Sequence, residues 1–265
     1  MIFQPVLPFG GYAGWRFLES NLERQQSQFA QAPVQERDRA YFAENIGKVR
    51  SPEDLVSDYR LLRVALGAYG LQDDLPNRAF IEKVLSDGID EPEALANRLA
   101  DKRYRVFSEA FGFGGTLPPN TQSPTFADRV LARFDRQSFE VAVGEVDSDM
   151  RLALAASREV PDIVAAGGSD ATAWLTVLGN PPLRQVFETA FGLPSAIATV
   201  DLDRQVEAFQ AGAERTLGSS EFSQFSDPEA VDELLKSFTV RAQVNAGISA
   251  STPGATAITL LQNLV

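Results

Sequence analysis

Paired carboxylates are the residues of this chain whose type and spacing come nearest to chemistry. Two acids held together can bind a metal ion or share acid and base roles. Three such pairs occur: Asp73-Asp74, Asp147 with Asp149, and Asp201 with Asp203. Each stands before a stretch of helical periodicity, where a carboxylate accepts from free backbone N–H groups and faces the positive end of the helix dipole. None continues into the Asp-x-Asp-x-Asp-Gly run with a distant Glu that builds a calcium loop. Helix capping is therefore their expected role, and no metal ligand is assigned.

Other chemistries lack a partner. Gly112-Phe-Gly114-Gly115-Thr116 has the glycine density of a phosphate cradle but not its Gly-Lys-Ser/Thr ending, and no lysine follows Gly10-Gly11. The chain has no His to activate Ser57 or Ser219-Ser220, and no Gly-x-Ser-x-Gly elbow. A Ser–Lys dyad built on Lys48, Lys83, Lys102 or Lys236 has no supporting spacing. With no Cys there is no thiol nucleophile and no cysteine zinc site. No catalytic residue and no cofactor is assigned, and the chain reads as a non-enzyme.

Any such groups must be carried by a globular scaffold. The 265 residues are 44% hydrophobic and 23% charged, ordinary values for one or two folded domains. A formal charge of −12 repels polyphosphate backbones, so no nucleic-acid partner is expected. The richest apolar stretch, Leu152 to Ala166, is interrupted by Arg158, Glu159, Pro161 and Asp162, so no membrane insertion is expected. The N-terminal stretch has no basic residue before Arg16 and is broken by Pro5 and Pro8, unlike a cleaved secretory signal.

Helix signals recur along most of the length. Ser51-Pro52-Glu53-Asp54 offers a hydroxyl cap, an N1 proline and first-turn acids, followed by Leu55, Tyr59, Leu62, Leu66 and Tyr69 up to Gly70. Asp90-Glu91-Pro92-Glu93 and Ser226-Asp227-Pro228-Glu229 repeat the arrangement. Further helices are expected over 14–32, 34–45, 76–85, 149–165 and 201–217, with one starting at Ser123 and running through Phe139 and Val143. Ala68-Tyr69-Gly70-Leu71, Ala110-Phe111-Gly112-Phe113 and Ala190-Phe191-Gly192-Leu193 each read as a helix end that turns through a left-handed glycine. Alternating β-branched runs are nearly absent. The fold class is all-α: an irregular multi-helical protein with a weak internal duplication, in which 41–114 is echoed by 172–241. The Gly/Pro-rich stretch beginning at Gly112 suggests subdomains at 1–115 and 116–265, with either separate cores or one shared core.

Both ends are free of charge, over residues 1–15 and 242–265. Ile258, Leu261 and Leu264 form a short apolar stripe in the tail, and a helix of that length needs a surface to lie on. Together with Trp15 they are the candidate protein-contact residues, whether the surface is the chain's own core, a second copy or another protein.

Several phrases are similar to those of a known family. They are Gly10-Gly-Tyr-Ala-Gly-Trp-Arg-Phe-Leu, Arg37-Asp-Arg-Ala-Tyr-Phe-Ala-Glu-Asn-Ile and Asp58-Tyr-Arg-Leu-Leu-Arg-Val-Ala-Leu-Gly-Ala-Tyr-Gly-Leu, then Asn77-Arg-Ala-Phe-Ile-Glu-Lys-Val-Leu and Ala94-Leu-Ala-Asn-Arg-Leu-Ala-Asp-Lys-Arg-Tyr. Ser138-Phe-Glu-Val-Ala-Val-Gly-Glu and Met150-Arg-Leu-Ala-Leu complete the set. The chain thereby resembles the alphaproteobacterial family of domain of unknown function 1217, most strongly over residues 10–160. Members are typically encoded among flagellar genes. The resemblance implies a non-enzymatic structural or assembly role in the flagellum, exercised through protein partners, and supplies no catalytic residue. The protein is expected in the cytoplasm, or exported to the flagellum without a cleaved signal. The alternatives are a regulatory module that senses a small ligand or partner and, behind it, a carboxylate- or lysine-based enzyme.

Overall fold

The computed structural model describes residues 4–115 and 117–250. They form α1 (Gly11–Ser20), α2 (Leu22–Ala30), α3 (Pro33–Asn45), α4 (Pro52–Ser57), α5 (Tyr59–Ala68), α6 (Arg78–Asp87) and α7 (Leu95–Arg98). Then follow α8 (Arg103–Phe111), α9 (Phe126–Val146), α10 (Ser148–Ala166), α11 (Asp170–Leu178), α12 (Pro181–Phe191), α13 (Leu202–Leu217) and α14 (Pro228–Ala250). Short 3-10 turns join several of them, and no strand occurs among the described residues. The protein is all-α and irregular in its helix lengths.

Local chemistry explains most boundaries. The Ser51 hydroxyl accepts from Asp54 N at 3.1 Å while the Asp54 carboxylate accepts from Ser51 N at 3.0 Å, a complete capping box at the start of α4. At the end of α5, Gly70 takes φ +69° and Leu71 N reaches back to Leu66 O at 2.9 Å. Gly192 and Leu193 N, bonded to Glu188 O at 2.9 Å, close α12 in the same way. At the end of α8, Gly112 is left-handed and its own N–H bonds Ser108 O.

The differences from sequence expectation are equally physical. The helix expected to run unbroken from Ser51 stops at Asp58, whose Oδ1 caps Arg60 N and Leu61 N at 2.9 and 3.0 Å while its Oδ2 accepts from the Tyr41 hydroxyl at 2.7 Å. The helix expected over 14–32 breaks at Asn21. The Asp90–Glu93 phrase opens only the single turn of α7, because Asn97 Nδ2 bonds the Ile89 and Glu91 carbonyls and holds the segment as a turn. Helix α11 was not anticipated.

The described residues divide into two compact units, 4–6 with 21–145 and 7–20 with 146–250. The boundary expected at 115/116 thus lies inside the first unit. Asn120 Nδ2 bonds Ala110 O at 3.0 Å, and Thr121 Oγ1 and Gln122 Nε2 both donate to Val49 O, at 2.7 and 3.1 Å. These bonds fix the Gly/Pro-rich stretch to α8 and to the segment leading into α4, both within the first unit. The first unit's core joins Phe42, Leu62, Leu66, Phe107 and Phe111 to Phe126, Val130 and Phe134 of α9. The second unit is built round Trp174, whose ring meets those of Phe187 and Phe222 edge-on at 5.7 and 5.1 Å. Its indole N–H donates to Ser220 O at 3.2 Å.

Candidate functional site

In the second unit α1, α10 and α14 pack on one another, so the charge-free N-terminal residues meet the helix that leads into the charge-free tail. Glycines make the approach feasible. A side chain at Gly14 would lie 2.1 Å from the Phe9 carbonyl oxygen, so only glycine lets residues 9–10 fold back on α1. Gly11 has φ +61°, and a Cβ there would overlap the Gln243 amide. Tyr12 donates to Asp232 Oδ2 at 3.2 Å, and Arg16 bridges Glu19 at 2.7 Å and Asp232 at 3.4 Å. These polar bonds align α1 with the early part of α14.

Beside this junction lies a cavity of about 150 Å³ whose lining includes Gly10, Gly11, Asp147, Asp149, Met150 and Gln243. Asp147 is the N-cap of α10, accepting from Asp149 N at 2.9 Å and Met150 N at 3.1 Å. Burial, and then the neighbouring Asp147 charge, push the Asp149 carboxyl above its usual pKa. The space is well under the ~300–1,000 Å³ of drug-sized ligand sites.

The apolar side chains left open near these ends are more informative. Phe9 is 59% exposed, and on α14 Val240 and Val244, four residues apart and so on one face, are 45% and 55% exposed. Charge-free sequence with uncovered aromatic and branched side chains has the composition of an interface.

The sequence candidates fall as follows. Trp15 is 1% exposed and belongs to the second unit's own core, so it offers no outward contact. Ile258, Leu261 and Leu264 lie outside the described residues. Asp147 caps as expected. Asp74 does not cap a helix: it lies in a 3-10 turn and accepts from the Tyr104 hydroxyl and from Asn77 Nδ2. Asp201 stands at the N-cap of α13 without a side-chain cap bond. Lys48 bonds Asn45, Lys83 bonds Asp87, Lys102 bonds the Asn97 and Leu99 carbonyls, and Lys236 bonds Glu233, so these lysines and the serines do not form a dyad. Phe9, Val240 and Val244 were not singled out from sequence; the absence of charge around them was the available signal.

A family profile described as "Protein of unknown function (DUF1217)" matches residues 68–231. The chain belongs to the DUF1217 family. A crystal structure of a protein from Agrobacterium tumefaciens, solved in a structural-genomics programme, superposes with a TM-score of 0.72 at 29% identity, covering 91% of this chain and 99% of the other. The curated proteins contain no match. The DUF1217 match takes in residues of both units, from the end of α5 to the beginning of α14.

Proposed function

We propose that this DUF1217 protein is a non-enzymatic, flagellum-associated structural or assembly factor that acts by protein–protein contact through its second unit. One observation carries the reading: the charge-free N-terminal segment is packed against α14, the helix that leads into the charge-free tail, and these two segments leave Phe9 and, on α14, Val240 and Val244 uncovered. Apolar surface that a lone chain leaves in water gains its hydrophobic stabilisation only when a partner covers it. The flagellar setting comes from the family resemblance. The cytoplasm is the favoured location, with export to the flagellum as the variant.

The test is chemical cross-linking in flagellated cells, with partners identified by mass spectrometry. Three forms are compared: the full chain, a chain cut before Ser251, and Val240→Glu/Val244→Glu. The reading expects flagellar components on the full chain and their loss in the double variant while its melting temperature is kept. The same partners on all three forms would defeat it.

A further inference from the structure

Helix α9 presents two faces. One carries Phe126, Val130 and Phe134 into the first unit's core. Another carries Arg129, Arg133 and Arg136, all exposed, at spacings of four and three that place them on one side of the helix over about 10 Å. Among the described residues no carboxylate pairs with any of them, although acids outnumber bases 36 to 24 in the chain. Two acids adjoin the stripe in sequence, Asp128 before Arg129 and Asp135 before Arg136, and Asp135 is engaged instead by Arg39 at 3.0 Å.

The stripe is also anchored. The Arg133 guanidinium lies 5.2 Å from the centre of the Tyr69 ring, a cation–π contact that limits its rotamers before any partner arrives. Tyr69 is itself fixed, edge-on to Phe107 at 5.4 Å. Burial pushes the Tyr69 hydroxyl pKa up, and the charges of Arg133 and Arg129 pull against it.

We infer that the α9 stripe of Arg129, Arg133 and Arg136 receives a short acidic segment of a protein partner, carboxylates meeting guanidinium groups. Arginine suits the task because its planar fork binds carboxylates in bidentate fashion. A short segment fits better than a membrane or a nucleic acid, because the net charge of −12 opposes any extended polyanion whereas a few carboxylates feel chiefly the local stripe. The surface lies on the first unit, separate from the contact proposed for the second.

The experiment titrates the full chain with a synthetic 15-residue helical peptide carrying three glutamates at matching four-and-three spacing, followed by fluorescence anisotropy at low and high salt. A peptide of equal composition with the glutamates scrambled serves as control. The expected result is saturable binding that weakens at least tenfold in Arg129→Glu/Arg133→Glu/Arg136→Glu, and changes less than twofold in Arg24→Glu/Arg78→Glu/Arg204→Glu. The milder Arg→Gln triple, checked by circular dichroism, gives an intermediate loss if the fold is intact. Equal binding of both peptides, equal loss in both reversal triples, or no saturation would overturn the inference. So would a stripe-dependent shift to dimer without peptide, or stripe-dependent sedimentation with phosphatidylserine vesicles in place of peptide binding. None of these readouts depends on Val240 or Val244, so this inference and the proposed function fail separately.

Discussion

Gly212→Ala sets two effects of known sign against each other. Gly212 lies within α13, where alanine in place of glycine favours the helix by about 1 kcal/mol. The added Cβ would meet Phe191 Cδ2 at 2.7 Å and its Cβ and Cγ at 2.8 Å. Phe191 Cβ is tied to the backbone of α12, so the ring cannot simply swing aside. Overpacking of this kind costs roughly 1–3 kcal/mol, and with a backbone-anchored atom in the overlap the upper half applies. The net expectation is a loss of about 1–2 kcal/mol, a fall of roughly 0.5–1 M in the urea midpoint for an ordinary slope. Gly247 in α14 is the control, because a Cβ there meets nothing within 4 Å and the substitution should be neutral or mildly stabilising. Urea unfolding followed by tryptophan fluorescence suits the question, since Trp15 and Trp174 are both core residues of the second unit. The Phe191 ring leads through Phe187, 5.5 Å away, to Trp174, so Gly212→Ala should also alter the near-ultraviolet dichroism. Equal stability of the two variants, with unchanged aromatic dichroism, would refute the packing argument.

Other expectations follow from single contacts. Ser51→Ala removes the hydroxyl of the α4 capping box and should cost about 1 kcal/mol in denaturant unfolding. The folded state holds the Asp149 proton more tightly than the unfolded chain does, so that contribution is fully present below the ordinary Asp pKa of about 3.9 and lost as pH rises through the raised value. Melting curves from pH 3 to 8 should therefore show Asp149→Asn gaining on the wild type as pH rises; a gap that is constant with pH would contradict this. Val240→Glu/Val244→Glu changes exposed positions only and should shift stability by no more than about 0.5 kcal/mol, measured by urea unfolding.

How much of this was legible in the sequence depends on the range of the forces involved. Caps and helix ends are local, and so Ser51, Gly70, Gly192 and Asp147 behave as their neighbours in sequence dictate. The break at Asp58 was hidden because the apolar spacing continues through it, and the deciding bond comes from Tyr41, 17 residues away. The subdomain boundary was misplaced for a related reason: glycine and proline mark a bend, but the side chains of Asn120, Thr121 and Gln122 tie that bend back to the first unit. At the candidate site, the charge-free ends could be read directly. Trp15 was drawn to the surface by its place in such a segment, whereas its ring is core. That Phe9, Val240 and Val244 are left uncovered is a property of packing between distant segments, and single-sequence periodicity carries no record of it.

The central claim is that the second unit's charge-free ends meet another protein. A photo-cross-linking amino acid placed at Phe9, at Val244 and, as control, at the partly exposed Glu82 of the first unit tests this in living flagellated cells. The account predicts the same flagellar partner from positions 9 and 244 and not from 82. Adducts indistinguishable among the three positions, or none from 9 and 244, would contradict it.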